Sequence, residues 1–420
     1  MKVLVVGSGG REHAIVWKLR QSSHVDKIYC APGNGGTAHI AQNIDIKDHE
    51  IDQLLTFAKE NEIDLTVVGP EVSLVMGIVD LFQENGLKVF GPNKKCAQLE
   101  GSKNFTKKFL IRNNIPTAPY VEVRDIKTAK EKLENFGYPV VIKADGLAAG
   151  KGVVIAENQE QAHKALEDMI VSRKFGEAGD NVIIEGFLTG KEASILCFVD
   201  GNTMVPMESA QDYKKIFEND LGPNTGGMGS YSPNFLYETT YKKEVEEKIL
   251  KPMLEGFKKE KLDFKGILFI GLMLTEEGTQ VLELNVRFGD PETQSILMRL
   301  ETDLVEIMES ICEGNLENMN IKWNDKQAVC VVISSGGYPE LYEKNKVIEG
   351  LENVDEDVVV FHAGTKLEDE KVLTNGGRVL GVTALGNTTE EARKKIYKEI
   401  EKIRFDEMYY RKDIAQDSNY

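Results

Sequence analysis

The chain is 420 residues long, more than one hydrophobic core supports, so two to four domains are expected. Its formal net charge of −17 argues against a broad nucleic-acid surface, and no stretch approaches the ~18 apolar residues that a membrane span needs. The apolar run at 3–6 is too short for a signal sequence, the five cysteines form no CxxC pair and the six histidines do not cluster, so a cytosolic protein with reduced thiols and no zinc site is expected.

Residues 1–100 alternate between short apolar strands and helices. Strands are predicted over 2–6, 27–31, 65–68 and 88–90, and helices over 11–21, 48–61 and 75–85. Each strand ends in a loop rich in glycine or proline, the pattern of a doubly wound parallel sheet that binds ligands beyond its strand ends. A helix over 102–113 then leads into strand-rich sequence. Strands are expected at 139–143, 153–156, 182–185 and 192–199, with helices at 159–171 and 241–259, the latter interrupted or bent near Pro252. Residues 266–275 and 280–286 read as an antiparallel pair, followed by a helix over 301–313. The last part carries strands at 328–334, 358–363 and 378–384 and a helix at 389–403.

Four segments carry chemistry. The first is Gly7-Ser8-Gly9-Gly10-Arg11-Glu12, between a strand and a helix, where backbone N–H groups can meet a phosphate. A nicotinamide-dependent oxidoreductase would need a third glycine where Glu12 stands and an acidic residue after the second strand, where Ala31-Pro32-Gly33 stands. A single phosphate or sugar phosphate fits better. The second is the loop 146–152, Gly-Leu-Ala-Ala-Gly-Lys-Gly, which fails as a Walker A loop: its glycine gap is short, Gly152 replaces the Ser or Thr, and a strand follows. Strand–loop–strand instead suggests a flap over a triphosphate. Lys143 ends the apolar strand before it and is assigned to the ATP phosphates, because a lysine there is costly without an anion.

The third segment is Glu185-Gly186-Phe187-Leu188 with Glu192, a strand end suited to an adenine and its ribose hydroxyls. The fourth is the run from Glu283 to Glu292. Side chains alternate along a strand, so Glu283, Asn285 and Arg287 share one face while Leu282, Leu284 and Val286 share the other. Two oxygen donors and a guanidinium on one face suit Mg²⁺ and a transferred phosphoryl group. A non-catalytic nucleotide-binding regulator would not need that face. The glycine-rich stretch 224–231 and the polar run 211–215 are read either as the border of a small-substrate pocket or as ordinary loop.

These motifs, in this order, resemble the phosphoribosylamine–glycine ligase family of the ATP-grasp superfamily. The resemblance rests on GSGGREHA at 7–14, PGN at 32–34, GPE at 69–71, KADGLAAGKGV at 143–153, GPNTGGMG at 222–229, RFGDPETQ at 287–294 and NGGRVLGVTALG at 375–386, and spans essentially the whole chain. It implies an α/β and α+β multidomain protein: an N-terminal Rossmann-like domain (1–102), a central ATP-grasp fold (103–326) with a mobile lid at about 120–190, and a small C-terminal α/β domain (327–420). It implies that ATP, with Mg²⁺ or Mn²⁺, activates glycine for attack by 5-phosphoribosylamine in purine synthesis, in a monomer with no nucleic-acid or membrane partner. Another ATP-grasp carboxylate–amine ligase is the nearest alternative.

By that resemblance the metal positions fall on Glu283 and Asn285. ATP contacts fall on Lys103, Lys143, Gly146, Gly150, Lys151, Gly152, Glu185, Leu188 and Glu192. Arg287, Lys143 and Asp212 are the catalytic candidates. Gly9, Gly10, Asn34, Gly35, Asp212, Thr225, Gly226, Gly227 and Asp290 are the substrate candidates. The chain departs from the family where Tyr213-Lys214-Lys215 replaces His-Lys-Arg, and lysine cannot reproduce bidentate arginine contacts at 215.

Overall fold

A computed structural model describes residues 1–147 and 152–416. Gly150 and Lys151 of the expected ATP flap lie outside the described residues.

The N-terminal sheet is parallel and five-stranded, in the order Gln42–Asn43, Lys27–Pro32, Lys2–Gly7, Leu65–Val68, Val89–Phe90. Its alternating residues feed two cores. Leu4, Val6, Tyr29 and Ala31 join one buried cluster, while Val3, Val5, Ile28 and Cys30 join another. A parallel sheet covered on both faces needs such near-continuous apolar strands. The single helix expected over 75–85 is two, Glu71–Met76 and Ile78–Glu84. Gly77 breaks it with a φ of +99°, a left-handed conformation that glycine adopts without strain.

A second sheet, in the order Met204–Pro206, Lys191–Asp200, Lys265–Thr275, Gly278–Asn285, shares both of those clusters. Leu268, Ile270 and Leu272 enter one, Ile267 and Phe269 the other, so the two sheets are welded through common apolar packing. Between them in sequence lies a small four-stranded sheet with its own core, ordered Tyr120–Val123, Val182–Gly186, Val140–Ala144, Val153–Ala156. It occupies the segment expected to form a lid. The helix expected over 159–171 runs as Gln159–Leu166 and ends in a wider π turn at Glu167–Val171. The helix expected over 241–259 is interrupted where expected: a π turn at Glu246–Leu250 runs directly into Lys251–Glu260, and Pro252, which lacks an N–H for the preceding turn, stands just after it.

The third large sheet crosses the boundary expected near 327. Gln211–Asp212 and Gly229–Ser232 pair edge to edge with Gln327–Ser334, Arg378–Gly386 and Val358–His362. Residues 211–232 are therefore held by C-terminal strands at the same time as they face the cleft. Among the described residues, no helix is long and apolar enough to cross a membrane.

Candidate active site

The hairpin of Lys265–Thr275 and Gly278–Asn285 sets the site. Gly271 pairs with Glu283 but Leu272 pairs with Val281, so Leu282 is an extra residue in a β-bulge. Val281 precedes the bulge and Leu284 and Val286 follow it, yet all three enter the same apolar cluster. Glu283, Asn285 and Arg287 thereby turn together toward the cleft, as expected. Leu282 does not join Leu284 and Val286 as a simple alternation requires. The bulge displaces it, and its carbonyl accepts from Lys143 Nζ at 3.4 Å. The lysine of the small sheet thus reaches the strand that carries the acidic row.

Around this row the cations are paired. Lys143 Nζ lies 2.8 Å from Glu185 Oε2. Lys103 donates to the Gly146 carbonyl at 2.9 Å. Lys214 lies 3.1 Å from Glu192 and 3.8 Å from Glu283. Burial works against the charge on Lys214, but Glu192, Asp212 and Glu283 outweigh it and hold its pKa well above the usual lysine value. Lys214 in turn, against burial and with help from Lys143 and Lys103, keeps Glu283 below the usual carboxylate range. Glu283 is half exposed and Asn285 stands two residues along the same face. An all-oxygen, accessible donor pair suits a hard divalent cation, and Lys214 already places positive charge there.

Arg287 is gripped from behind. Its Nη2 lies 2.8 Å from Glu100 and its Nε 3.4 Å from Glu71, and burial is outweighed by these carboxylates in raising its pKa. Its Nε is buried without a hydrogen-bond acceptor in bonding geometry. Nη2 also donates to Asn285 Oδ1 at 3.5 Å. Asp212, opposite on its short strand, is pushed well above the ordinary carboxylate pKa by burial, with Glu292, Glu192 and Glu283 adding to the effect and Lys214 opposing it. Glu292 is raised as well, by burial first, and its Oε1 accepts from Ser194 Oγ at 3.0 Å. Leu188 and Phe187 sit on the loop after Val182–Gly186, with Phe187 exposed. Gly152 closes onto the same small sheet, its carbonyl accepting from the Ala144 N–H at 2.9 Å.

The loops expected to hold a sugar phosphate look different. The Gly9 N–H donates to Glu12 Oε2 at 2.6 Å, and a Cβ on Gly69 would stand 2.0 Å from Glu12 Oε1. The carboxylate that replaces the third glycine thus fills the mouth of the N-terminal loop. Gly10 opens the helix, and the next amide, of Arg11, donates to Asp290 Oδ2 at 3.2 Å. Burial raises the Asp290 carboxyl, but Arg378 and Arg11 outweigh it and hold it low. Asn34 Nδ2 donates to the carbonyls of Ser8 (2.9 Å) and His362 (2.8 Å), and Gly35 N–H to Thr365 Oγ1 at 3.1 Å. Thr225 Oγ1 donates to the Lys214 carbonyl and accepts from the Gly227 N–H. The Gly226 N–H donates to Tyr338 Oη, and Arg378 Nη1 donates to the carbonyls of Gly226 and Asp290.

Sequence reasoning passed over Lys214, Lys107, Glu71, Glu100, Glu292 and Arg378. Glu71 and Glu292 lie inside motifs already singled out, GPE and RFGDPETQ. Lys214, not Lys215, is the residue of the 213–215 run that joins the cluster. Glu100 and Lys107 sit on ordinary amphipathic helices and give no sequence signal.

A strand-borne acid, amide and guanidinium met by a lysine of a separate four-stranded sheet define a protein of the ATP-grasp class. The fold is similar to the biotin carboxylase domain of 2-oxoglutarate carboxylase from Hydrogenobacter thermophilus (TM-score 0.73, 17% identity, covering 97% of this chain and 91% of that one). Family models for phosphoribosylglycinamide synthetase match along the chain: the N domain at 1–100, the ATP-grasp (A) domain at 101–293 and the C domain at 328–417. The chain belongs to the phosphoribosylglycinamide synthetase family. Among relatives, the phosphoribosylamine–glycine ligase of Caldanaerobacter subterraneus subsp. tengcongensis is 54% identical over 415 residues, 99% of each chain. That of Halalkalibacterium halodurans is 50% identical, covering 99% of this chain and 96% of its own. The crystal structure of the Thermotoga maritima phosphoribosylamine–glycine ligase superposes with a TM-score of 0.87 at 35% identity, over 99% of this chain and all of that one.

Proposed function

We propose that this protein is a C–N bond-forming ligase that joins glycine to 5-phosphoribosylamine at the expense of ATP, giving glycinamide ribonucleotide, ADP and phosphate in purine biosynthesis. The observation that carries the reading is the convergence of Lys143 on the bulged strand beside Glu283, Asn285 and Arg287. Relatives of full length and about half identical residues bear the matching enzyme name.

The glycine carboxylate oxygen attacks the terminal phosphorus of ATP, and ADP leaves. Lys143 and Lys103 neutralise the phosphate oxygens, and Arg287 faces the phosphoryl group in flight. A magnesium or manganese ion held by Glu283 and Asn285 adds charge neutralisation and orientation when bound. Asp212 and Glu292 place negative charge where the glycine ammonium would rest. The ribosyl amine then attacks the acyl carbon, phosphate departs with the activating oxygen, and the amine loses a proton. The Asp212 carboxylate, made more basic by burial, is placed to receive it. The four-stranded lid excludes water that would hydrolyse the acyl phosphate. The biotin carboxylase structure from Hydrogenobacter thermophilus contains magnesium ADP, in keeping with this use of the fold.

The test is ADP release with ATP, Mg²⁺ and glycine, with and without freshly generated 5-phosphoribosylamine. Dependence on both substrates, with a glycinamide product by mass, is expected. ADP formed without need of the ribosyl amine would assign the chain another acceptor.

A further inference from the structure

Lys107 lies on the helix Lys103–Arg112, one turn beyond Lys103, and is buried although it is charged. Its ammonium has three donors and three acceptors: Thr117 Oγ1 at 2.7 Å, the Ala118 carbonyl at 3.2 Å and Glu185 Oε1 at 3.2 Å. No donor is left for a ligand. The other oxygen of Glu185 holds Lys143, so one buried carboxylate is shared between two ammonium groups.

The positions of these partners matter more than their number. The chain enters the four-stranded lid through 116–119 and leaves it after Gly186. The entering strand is tied to the core where the Val281 N–H donates to the Pro116 carbonyl and Thr117 Oγ1 to the Val281 carbonyl, both at 2.8 Å. The leaving strand is tied to the entering one where the Gly186 N–H donates to the Pro119 carbonyl at 3.0 Å. Lys107 touches both crossings at once. Val281 is also the residue next to the bulge that aims Glu283 and Asn285.

We infer that Lys107 is a positioning residue at the lid hinge: it pins the two chain crossings together, holds Glu185 between two cations, and so sets where Lys143 stands when ATP binds. This rests on the reading of Lys143 as a phosphate ligand. Burial, ahead of the opposing pull of Glu185 and together with the repulsion of Lys143, pushes the Lys107 pKa down to about 8. The groups facing it are Glu185, Lys143 and the ring of Tyr120 from the lid strands, with Lys103 on its own helix. The pin should therefore loosen in mildly alkaline solution.

The experiment is calorimetric titration of the whole protein with ATP and Mg²⁺, which needs no turnover and so is independent of the acceptor assigned above. Lys107→Met should weaken ATP binding about tenfold or more, and Lys107→Arg should recover most of it. The native protein should lose ATP affinity above about pH 8, and Lys107→Arg should not. Lys107→Met that folds and binds ATP within twofold of the native protein would overturn the inference. If Lys107→Met does not fold, Thr117→Val decides: it removes one anchor of the pin and should weaken ATP binding a few-fold, and an unchanged affinity would overturn the inference equally. Loss of ligase turnover with ATP affinity intact would also count against it.

Discussion

Two regions of this molecule use charge in opposite ways. In the cleft beside the small four-stranded sheet, ions sit on long side chains and share partners: Glu185 between Lys107 and Lys143, Lys214 between Glu192 and Glu283, Arg287 between Glu71 and Glu100. Lys143 and Lys214 can exchange these partners for an incoming phosphate by rotating a side chain, while Lys107 keeps its own. At the junction of the N- and C-terminal sheets, the groups are held mainly by backbone. Asn34 ties the Ser8 and His362 carbonyls together, Glu12 stops the Gly9 amide, and Arg378 spans two carbonyls. One region is built to trade partners and the other to keep its shape.

The largest effect is expected where the trading region is cut. Arg287→Met removes the guanidinium and leaves Glu100 and Glu71 without their partner. Breaking such a buried pair costs about 3–5 kcal/mol, and loss of a transition-state donor lowers kcat about 10²–10³-fold. Urea titration and ADP release measure the two. Adding Glu100→Gln should restore much of the stability and none of the activity. Full activity in Arg287→Met would end the comparison, since the cleft would then be structural.

The keeping region should answer to pH. The His362 backbone N–H donates to His13 Nδ1 at 2.7 Å, so that nitrogen must stay unprotonated. Burial first, and then the neighbouring His362 and His39, push His13 well below its usual pKa, and burial drives His362 down to about 4. A folded-state pKa below the unfolded one means that stability is complete above about 6.5 and is lost as the pH falls toward 4. The loss from His362 alone is on the order of 3 kcal/mol. Urea midpoints at pH 7 and pH 4.5 measure it, and a shallower slope is expected in His362→Gln. An identical slope would move the acid sensitivity to the carboxylates of the cleft.

The smallest effect is that of Asn34→Ala, which cuts the ties to the Ser8, Gly9 and His362 carbonyls and to the Gly36 and Thr37 N–H groups and costs about 1–3 kcal/mol. It should raise the KM for the ribosyl amine while leaving that for ATP unchanged. A rise in the ATP KM instead would show that the two regions are not independent.

Much of this was legible in the residues. Short apolar strands ending in glycine loops gave the parallel sheet, and alternation placed Glu283, Asn285 and Arg287 on one face. The bulge was not legible, because an extra residue leaves no mark on composition. It makes the inferred Leu282 face wrong while leaving the polar row right. Gly77 was read through as helix because its neighbours are apolar at helical spacing. Glu100 and Lys107 could not be found because their meaning lies in contacts with residues far away in sequence, Arg287 and Glu185. Glu12 was noticed as a missing glycine, but only the fold reveals that its carboxylate occupies the loop that the glycines frame.

The bulge at Leu282 also constrains how this enzyme can change over generations. Before it, odd-numbered residues face the apolar core; after it, even-numbered ones do. Deleting Leu282 would restore regular pairing and leave Val281, Leu284 and Val286 in the apolar cluster and Glu283, Asn285 and Arg287 on the cleft face, but it would remove the carbonyl that accepts from Lys143. The extra residue therefore serves the lysine rather than the polar row: a lineage that lost it would keep its acid, amide and guanidinium in place and lose one tie between the small sheet and this hairpin.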